Sequence, residues 1–397
     1  MKYSPLAFEV NLSPEGFVVD LDSLYASLST LHDQRDARGV RYALVTVLVY
    51  VILAKLAGED QLRGIAQWVA ERKEGLAKAL GLSKVQAPHA STYSRILGWA
   101  VNAAEFADVV SRFFASQPGA GRSVVINLDG KTLRGTIPAG QCQGVHLLAA
   151  YLPAEGWVLM QVEVSGPENE IVAAPRLLKC LDLRGKVVTG DAMLTQRHLS
   201  SQIVRAGGDY LWPVKDNQPE LREDIASLFE PEVCGAACSP VPKDFRTAHT
   251  LEKGHGRIEE RTITASSMLK GYLDWPYVDQ VFRLERSAVR IKDGKTTQQV
   301  VYGVTSLGAE RASAAQLLAL ARSQWQIENG LHYRRDDTLR EDRCRLKTGH
   351  APLLMATINN LILGLLCRQG VINVPQARRQ FAAHPDQALA LILCAPT

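Results

Sequence analysis

The sequence predicts an α/β fold in which a mixed sheet is flanked by helices, with an all-α domain before it and a β-rich insertion within it. Three observations support this prediction. Residues 20–117 show almost only helical periodicity, whereas residues 123–214 alternate short apolar runs with helical stretches. Strand-like runs then dominate residues 217–306, and helical periodicity returns at Ser313. The predicted domains are residues 1–117 (helical), residues 118–372 (the sheet, with the insertion at about 217–306) and residues 373–397 (a helical tail).

The composition is that of a folded and nearly neutral protein. The 397 residues are 46% hydrophobic and 22% charged, and a disordered chain would be poorer in apolar residues. The 45 Lys and Arg against 41 Asp and Glu give a net charge of +4, so the whole-chain charge does not indicate a nucleic-acid binder, although local basic patches remain compatible with one.

The cysteines indicate a reducing compartment. Seven of them are irregularly spaced, which is not the pattern of a disulfide framework. Cys234 and Cys238 are interpreted as free thiols of a loop, because no second pair lies at zinc-finger distance. The N-terminus lacks the layout of a signal peptide, so we expect a soluble, cytoplasmic protein.

The N-terminal helices follow apolar residues spaced three and four apart, separated by Gly or Pro. The apolar run from Ala43 to Ala54 is shorter than the roughly 20 residues of a membrane span, so it is interpreted as a core helix. Gln117–Arg122, rich in Gly and Pro, is interpreted as a linker. The predicted helices span Arg41–Leu56, Asp60–Ala70, Gly75–Leu80, Ser91–Trp99 and Ala103–Phe114.

The sheet domain begins with three strands and continues as helix, strand, helix, strand. This order indicates a mixed sheet with helices on its faces. After the insertion, Ser313 and Gln316 form a capping-box pattern that opens a helix through Trp325 and Glu328, and Pro352 starts a further apolar helix. The predicted strands are Ser123–Leu128, Val145–Leu152, Trp157–Val164, Lys186–Thr189, Tyr210–Val214 and the runs 260–265, 279–290 and 297–305. The predicted helices are Ile171–Leu181, Thr195–Ala206 and Leu353–Leu366.

Three acidic residues are placed where solvation is expected to be poor. Asp129 and Asp191 each follow an apolar strand, and Glu328 falls on the mainly apolar side of its predicted helix. Each Asp alone also fits a helix or turn cap, and that alternative stays open. Together the three could surround hard cations, two of which would serve phosphoryl transfer. Glycoside hydrolysis also uses paired carboxylates, but it needs neither a third one nor basic surroundings.

The surroundings of these acids suit a polyanion, because they are rich in Arg, Lys and amide donors. An ordinary salt-bridged surface is the alternative for the individual basic residues. Trp212 and Trp325 could stack on a displaced base, or they could belong to the core. The predicted DNA-binding residues are Lys131, Arg134, Lys215, Asn217, Gln218, His255, Arg257, Arg322, His332, Arg335, Arg343, Arg345 and Lys347.

Six motifs occur in order along the chain, and together they are highly specific. The motifs are Ile126–Gly135, Val188–Met193, Tyr210–Gln218, His255–Arg257, Trp325–Tyr333 and Glu341–Arg345. Over about residues 20–370 the sequence resembles the DDE-class transposases of bacterial insertion sequences, in the H-repeat-associated branch.

This resemblance implies an RNase H-like catalytic domain with a β-rich insertion before the last acidic residue. It implies cleavage and transfer of DNA strands at the ends of an insertion sequence with Mg²⁺ or Mn²⁺, two ions in all. By motif position Asp129, Asp191 and Glu328 match the three acidic residues. The implied partner is double-stranded DNA, bound by a homodimer, and no membrane association is expected. The N-terminal helices would bind DNA or mediate dimerisation.

The sequence departs from the wider group around the last acidic residue. That group has Tyr, Arg and Lys where this chain has Ala321, Gln324 and Arg335. The stretch after His332 is also more polar than in the closer branch, which leaves open whether Asp336 or Asp337 approaches the metals. The alternatives are therefore a catalytically silent, transposase-derived DNA-binding protein and a host-type metal-dependent nuclease.

Overall fold

The structure, a computed structural model, describes residues 20–117, 124–166, 168–230, 243–254, 256–324 and 327–394. It divides into two compact units. The first unit holds the described parts of residues 1–122, 130–167 and 328–397, and the second holds those of 123–129 and 168–327. This division cuts across the predicted domain boundaries, because the first unit groups the N-terminal helices with two later segments of the chain.

The elements are numbered in chain order within the described residues. The helices are α1 Leu24–Ser29, α2 Leu44–Leu56, α3 Leu62–Ala79, α4 Ala90–Arg95, α5 Ala103–Ala115, α6 Glu170–Lys179, α7 Arg197–Arg205, α8 Pro219–Phe229, α9 Ala314–Ser323, α10 Ala351–Arg368, α11 Val374–Ala383 and α12 Pro385–Leu393. The strands are β1 Val125–Thr132, β2 His146–Leu152, β3 Trp157–Val164, β4 Val187–Gly190, β5 Asp209–Val214, β6 Arg246–Gly254, β7 Arg257–Ser266, β8 Gln280–Arg290 and β9 Thr296–Thr305.

Two apolar helices form the centre of the first unit. Nearly every residue of α2 and of α10 is buried, which explains why neither helix has a polar face. α10 packs against α5, β3 and the turn Ile96–Ala100. In the part of the chain that the structure describes, α10 alone is long and apolar enough to cross a membrane, and 83% of it is buried inside the protein.

One long helix replaces two predicted short ones. The prediction ended one helix at Ala70 and began another at Gly75, whereas α3 runs through both positions. A glycine inside a helix costs about 1 kcal/mol without necessarily ending it. Because Ile65, Trp68 and Leu76 are all buried, packing on one side of α3 outweighs that local cost.

The sheet unites parallel and antiparallel strands. In the second unit β1, β4 and β5 are parallel, and β9, β8, β7 and β6 continue the sheet by antiparallel pairing. In the first unit β2 and β3 form an antiparallel hairpin. Through β1, which both units share, the nine described strands take the order β3-β2-β1-β4-β5-β9-β8-β7-β6. The prediction of a mixed sheet flanked by helices is confirmed, and the order agrees with the RNase H-like arrangement that the resemblance implies.

The segment after β5 contains two elements that the sequence prediction missed. α8 begins with Pro219 in its first turn, and β6 is an edge strand whose outer half is exposed. The polar composition of β6 hid it, because an edge strand lacks the apolar alternation of a half-buried one.

The predicted helix from Ser313 begins as expected. Ser313 and Gln316 form the predicted capping box of α9. The helix ends at Ser323, and Glu328 opens a separate wide turn, Glu328–His332. Residues 325 and 326, between the two, lie outside the described residues, so one continuous helix through Glu328 stays a prediction.

Candidate functional site

Asp129 and Asp191, the first two predicted metal ligands, belong to neighbouring strands of the second unit: Asp129 lies within β1, and Asp191 directly follows β4. β1 and β4 are parallel, and Leu128 lies opposite Gly190 in their register. The strand prediction ended at Leu128, but β1 continues to Thr132, so Asp129 lies within it. The two aspartates thus occupy adjacent positions toward the carboxyl ends of parallel strands, where open α/β sheets bind their ligands.

Asp191 caps the turn that follows β4. Its Oδ1 accepts a hydrogen bond from the backbone N–H of Ala192 at 2.6 Å and lies 3.3 Å from Nζ of Lys215. The side chain is 60% exposed. The capping role that the sequence left open is therefore present. It uses one carboxylate oxygen, and the exposure leaves the group accessible to a cation.

A set of polar side chains joins β1, β4 and the end of α9; we call it the junction, and it consists of the buried Asn127, Thr189 and Ser323 and the half-buried Gln324. Nδ2 of Asn127 donates to the carbonyl of Ser323 at 2.5 Å. Oγ1 of Thr189 lies 2.8 Å from Oδ1 of Asn127 and 2.7 Å from Oε1 of Gln324.

Gln324 closes the junction. Its Nε2 donates to the carbonyl of Leu128 at 3.1 Å, directly before Asp129 in the chain. The junction therefore fixes the end of α9 to the strand residues that immediately precede both aspartates. Glu328 follows Gln324 by four residues. Sequence analysis missed these residues as functional, although Asn127 and Thr189 gave a signal as lone polar side chains in apolar strands.

Glu328 and His332 begin and end one wide turn of the first unit. Glu328 is exposed, so the expectation that it lies in poorly solvated surroundings is wrong. His332 is buried, and burial together with the charges of Arg335 and Lys131 lowers its pKa to about 3. Its imidazole is therefore neutral near pH 7, which is the form that ligates metals. Both side chains are of metal-ligating types.

Lys131 has a partner in the same unit. Its Nζ lies 2.5 Å from Oδ1 of Asp336, and the lysine is only 9% exposed. Asp336, which the sequence left open as a further metal ligand, is thus engaged in an ion pair, and Asp337 is exposed.

Arg335 lies in the interior, although the sequence predicted a DNA contact. It is fully buried, and its Nε donates to Oε2 of Glu341 at 2.8 Å. The other oxygen of Glu341 accepts from Nδ2 of Asn359 in α10 at 2.7 Å. A side chain without solvent exposure is not placed to bind phosphate in this structure, so its contacts indicate a structural role.

A row of exposed basic side chains lies in the first unit; we call it the basic ridge, and it consists of Arg134, Arg343, Arg345 and Lys347. Arg343 ends the short helix Glu341–Arg343, and Arg345 and Lys347 follow it; all three are exposed, whereas Cys344 and Leu346 between them are half-buried. Arg134 is 78% exposed and lies 3.6 Å from a carboxylate oxygen of Asp342.

Close backbone packing holds the ridge together. A Cβ added at Gly135 would lie 2.0 Å from the carbonyl oxygen of Cys344, so only glycine allows this approach. Nζ of Lys347 also donates to the carbonyl of Ile137 at 3.1 Å. Two of the six sequence motifs therefore meet in space and present their basic residues together.

Those predicted DNA-binding residues of the second unit that the structure describes all have partners. Nδ2 of Asn217 donates to the carbonyl of Ala192 at 2.7 Å, and Nε2 of Gln218 donates to that of Thr195 at 3.1 Å, so both amides brace the loop after β4. Arg257 pairs with Glu259 at 2.5 Å and Arg322 with Glu252 at 2.5 Å. Their pairing fits the salt-bridged surface that the sequence left open.

The predicted stacking residues are not available on the described surface. Trp212 is fully buried, and its ring stacks on Tyr210 at 6.1 Å between centroids, so it belongs to the core. Trp325 and His255, like the loop cysteines Cys234 and Cys238, lie outside the described residues.

Comparisons with known proteins agree on one family. The family profile described as "Transposase DDE domain" matches residues 120–365, and the one described as "DDE_Tnp_1-associated" matches residues 25–114. The H repeat-associated putative transposase YhhI of Escherichia coli strain K12 is 26% identical over 93% of this chain and 97% of its own. The putative transposase YncI of Escherichia coli O157:H7 is 28% identical over 92% and 93%. Among solved structures, a piggyBac transposase synaptic complex with hairpin DNA aligns with a TM-score of 0.43 and 11% identity, over 98% of this chain and 78% of that one.

Proposed function

The chain belongs to the DDE transposase family, and from this premise we propose that it cleaves DNA at the ends of an insertion sequence and transfers the cut strand to a target. The junction is the observation that supports this best. It ties α9 to the strand ends that carry Asp129 and Asp191, and it does so four residues before Glu328. Amide hydrogen bonds that hold the end of α9 to these strands are expected if the three carboxylates act together.

We propose Asp129, Asp191 and Glu328 as the ligands of Mg²⁺ or Mn²⁺, with two ions in the active enzyme. Carboxylate oxygens are the ligands these hard cations prefer, and the exposure of Asp191 and Glu328 allows access. Bound ions would activate a water or a DNA 3′-hydroxyl as the nucleophile and would stabilise the leaving oxygen. Neutral His332, one turn after Glu328, is a further candidate ligand.

The chain's own residues have separate tasks in this proposal. The basic ridge binds the phosphates of the DNA backbone, because exposed guanidinium and ammonium groups suit phosphate. Lys215 holds the Asp191 carboxylate and would contact DNA phosphate if a cation took its place there. Asn217 and Gln218 keep the loop after β4 in shape. The whole-chain charge of +4 is compatible with this role, because the basic residues are concentrated locally.

Double-stranded element ends and target DNA are the proposed partners. An insertion sequence has two ends, so we propose that a homodimer joins them. We propose further that this occurs in the cytoplasm of a bacterial cell, on DNA.

The test is a cleavage and joining assay with the DNA ends that flank the gene. Purified full-length chain is incubated with these ends and Mg²⁺, and Glu328→Ala is compared with wild type. We expect the variant to bind the DNA and neither cut nor join it. Glu74→Ala, at an exposed position of α3, is the matched control and should retain full activity. If Glu328→Ala cuts and joins like wild type, the assignment of this carboxylate is wrong.

A second candidate function is a catalytically silent DNA-binding protein. It is favoured by Gln324, which stands where the wider group has Arg and is used in contacts with Thr189 and Leu128. This alternative predicts salt-dependent DNA binding by wild type with no nicking under any divalent metal.

A further inference from the structure

Trp99 is unusual among the residues of its turn. In the turn Ile96–Ala100, the residues Ile96, Leu97, Gly98 and Ala100 are buried, whereas Trp99 is 63% exposed. The largest side chain of the turn is therefore the one that faces solvent. An exposed indole does not gain the stabilisation that burial gives a tryptophan in a core. Tryptophans are enriched at binding interfaces, where a partner buries the ring.

The turn is held rigidly against the chain that follows the basic ridge. The carbonyl of Gly98 accepts a hydrogen bond from the backbone N–H of His350 at 3.1 Å. Oγ of Ser94 lies 3.1 Å from Oγ1 of Thr348. After Trp99, the carbonyl of Ala100 accepts a hydrogen bond from the backbone N–H of Gln34 at 3.1 Å, so the backbone is held on both sides of the exposed indole.

Gly349 brings the indole next to the ridge segment. This residue has φ +47, and a Cβ there would lie 2.3 Å from the carbonyl oxygen of Gly98 and 3.1 Å from the Trp99 ring. Lys347 precedes Gly349 by two residues, a distance of at most about 7 Å along an extended chain. The exposed ring thus adjoins the end of the basic ridge, within the same unit.

The charges around the ring favour an anion with an aromatic part. Arg343, Arg345 and Lys347 are exposed, and Arg95 is exposed just before the turn. The two acids at the start of the segment are engaged, Glu341 with buried Arg335 and Asp342 with Arg134. Basic side chains beside an exposed aromatic ring are the arrangement that binds single-stranded nucleic acid.

We propose that Trp99 and the basic ridge form one DNA-binding surface, in which the ridge binds the phosphates of a strand and the indole stacks on an unpaired base of that strand. The proposal rests on DNA being the substrate and gives the N-terminal helical segment a task that neither the family profile nor the relatives' names assign. Stacking on an aromatic side chain contributes roughly 5- to 150-fold in affinity per base. An unpaired base is required along a strand, because bases inside a duplex are stacked on both faces and offer neither to the ring.

The experiment measures binding of the full-length chain to two DNA probes by fluorescence anisotropy. One probe is a blunt duplex, and the other is the same duplex with a single-stranded extension containing 2-aminopurine. We expect Trp99→Ala to lose about 5- to 150-fold in affinity for the extended probe, with almost no change for the blunt duplex. Trp99→Phe should restore most of the loss, and 2-aminopurine quenching should disappear in Trp99→Ala.

Controls separate this proposal from the proposed function. Tyr272→Ala removes an aromatic side chain that is 72% exposed in the second unit, and it should leave binding unchanged. Arg345→Ala should weaken both probes and lower the salt slope by about 1. If Trp99→Ala is folded by circular dichroism and binds the extended probe like wild type, the stacking role is wrong, whereas cleavage by wild type still supports the transposase. If wild type binds neither probe, the proposed function itself fails.

A different partner would also overturn the inference. If Trp99→Ala converts a dimer to a monomer in sedimentation analysis and leaves affinity for the extended probe unchanged, the indole contacts a second copy of the chain.

Discussion

Replacing Thr189 by Val tests the junction with the smallest possible change. Valine keeps the shape and the β-branch of threonine, so β4 should retain its backbone, but the hydroxyl between Asn127 and Gln324 is lost. That hydroxyl has one proton and can donate to only one of the two amide oxygens at a time. The loss is therefore that of one hydrogen bond: Oδ1 of Asn127 keeps Oγ of Ser323 at 3.4 Å, and the other acceptor, Oε1 of Gln324, belongs to a half-buried side chain.

The expected cost is about 0.5–1.5 kcal/mol in the free energy of unfolding, the net contribution of one typical intramolecular hydrogen bond. For a domain of this size each kcal/mol lowers the midpoint of thermal unfolding by roughly 2–4 °C. Cleavage of element-end DNA should fall as well, since the end of α9 is no longer held to the strands that carry both aspartates.

Urea denaturation and single-turnover cleavage are the two assays, and Thr296→Val is the matched control. Thr296 is an exposed strand residue, so its replacement should change neither quantity by a measurable amount. The reasoning is refuted if Thr189→Val unfolds at the wild-type urea concentration and cleaves at the wild-type rate.

Three further predictions concern residues of the first unit. Gly135→Ala should destabilise the fold and weaken DNA binding, because the added methyl would lie 2.0 Å from a carbonyl oxygen. The control Gly75→Ala has open space around it and should be neutral or stabilising by up to about 1 kcal/mol. Thermal unfolding and fluorescence anisotropy of DNA binding compare the two variants. Arg335→Ala should cost about 3–5 kcal/mol in urea denaturation while the salt slope of DNA binding stays unchanged, since the change leaves a buried carboxylate unpaired; a reduced slope would instead make the residue a phosphate contact. The free energy of unfolding should fall as the pH falls from about 6.5 toward 3, because the pKa of folded His332 is lowered to about 3 and the unfolded chain takes up the proton first. His332→Gln should lose this part of the acid sensitivity, and acid sensitivity equal to that of wild type would contradict the prediction.

Periodicity in the sequence predicted most elements of the fold. β3 has the predicted bounds, and the α9 capping box is present as expected. These features are local, since alternation and capping involve residues close in the chain. β6 was missed, because this edge strand is formed by pairing with β7 and its own sequence lacks a hydrophobic strand pattern.

The sequence nominated the acidic residues of the candidate site and said less about their surroundings. Asp129 and Asp191 were nominated because a charge beside an apolar strand needs an explanation. The burial of Arg335 was not predicted, because residue type does not reveal it, and Trp212, for which stacking and core packing were both left open, lies in the core. Gln324 appeared as a departure from a motif, and only its hydrogen bonds to Thr189 and Leu128 give it a task.

The central claim is that three carboxylates hold the ions for DNA cleavage. Electron paramagnetic resonance with Mn²⁺, in the presence of element-end DNA, measures this most directly. We expect wild type to bind about two ions per chain, and Asp191→Asn to lose at least one of them together with cleavage, while Glu74→Ala matches wild type. Unchanged Mn²⁺ stoichiometry in Asp191→Asn, with cleavage intact, would contradict the account.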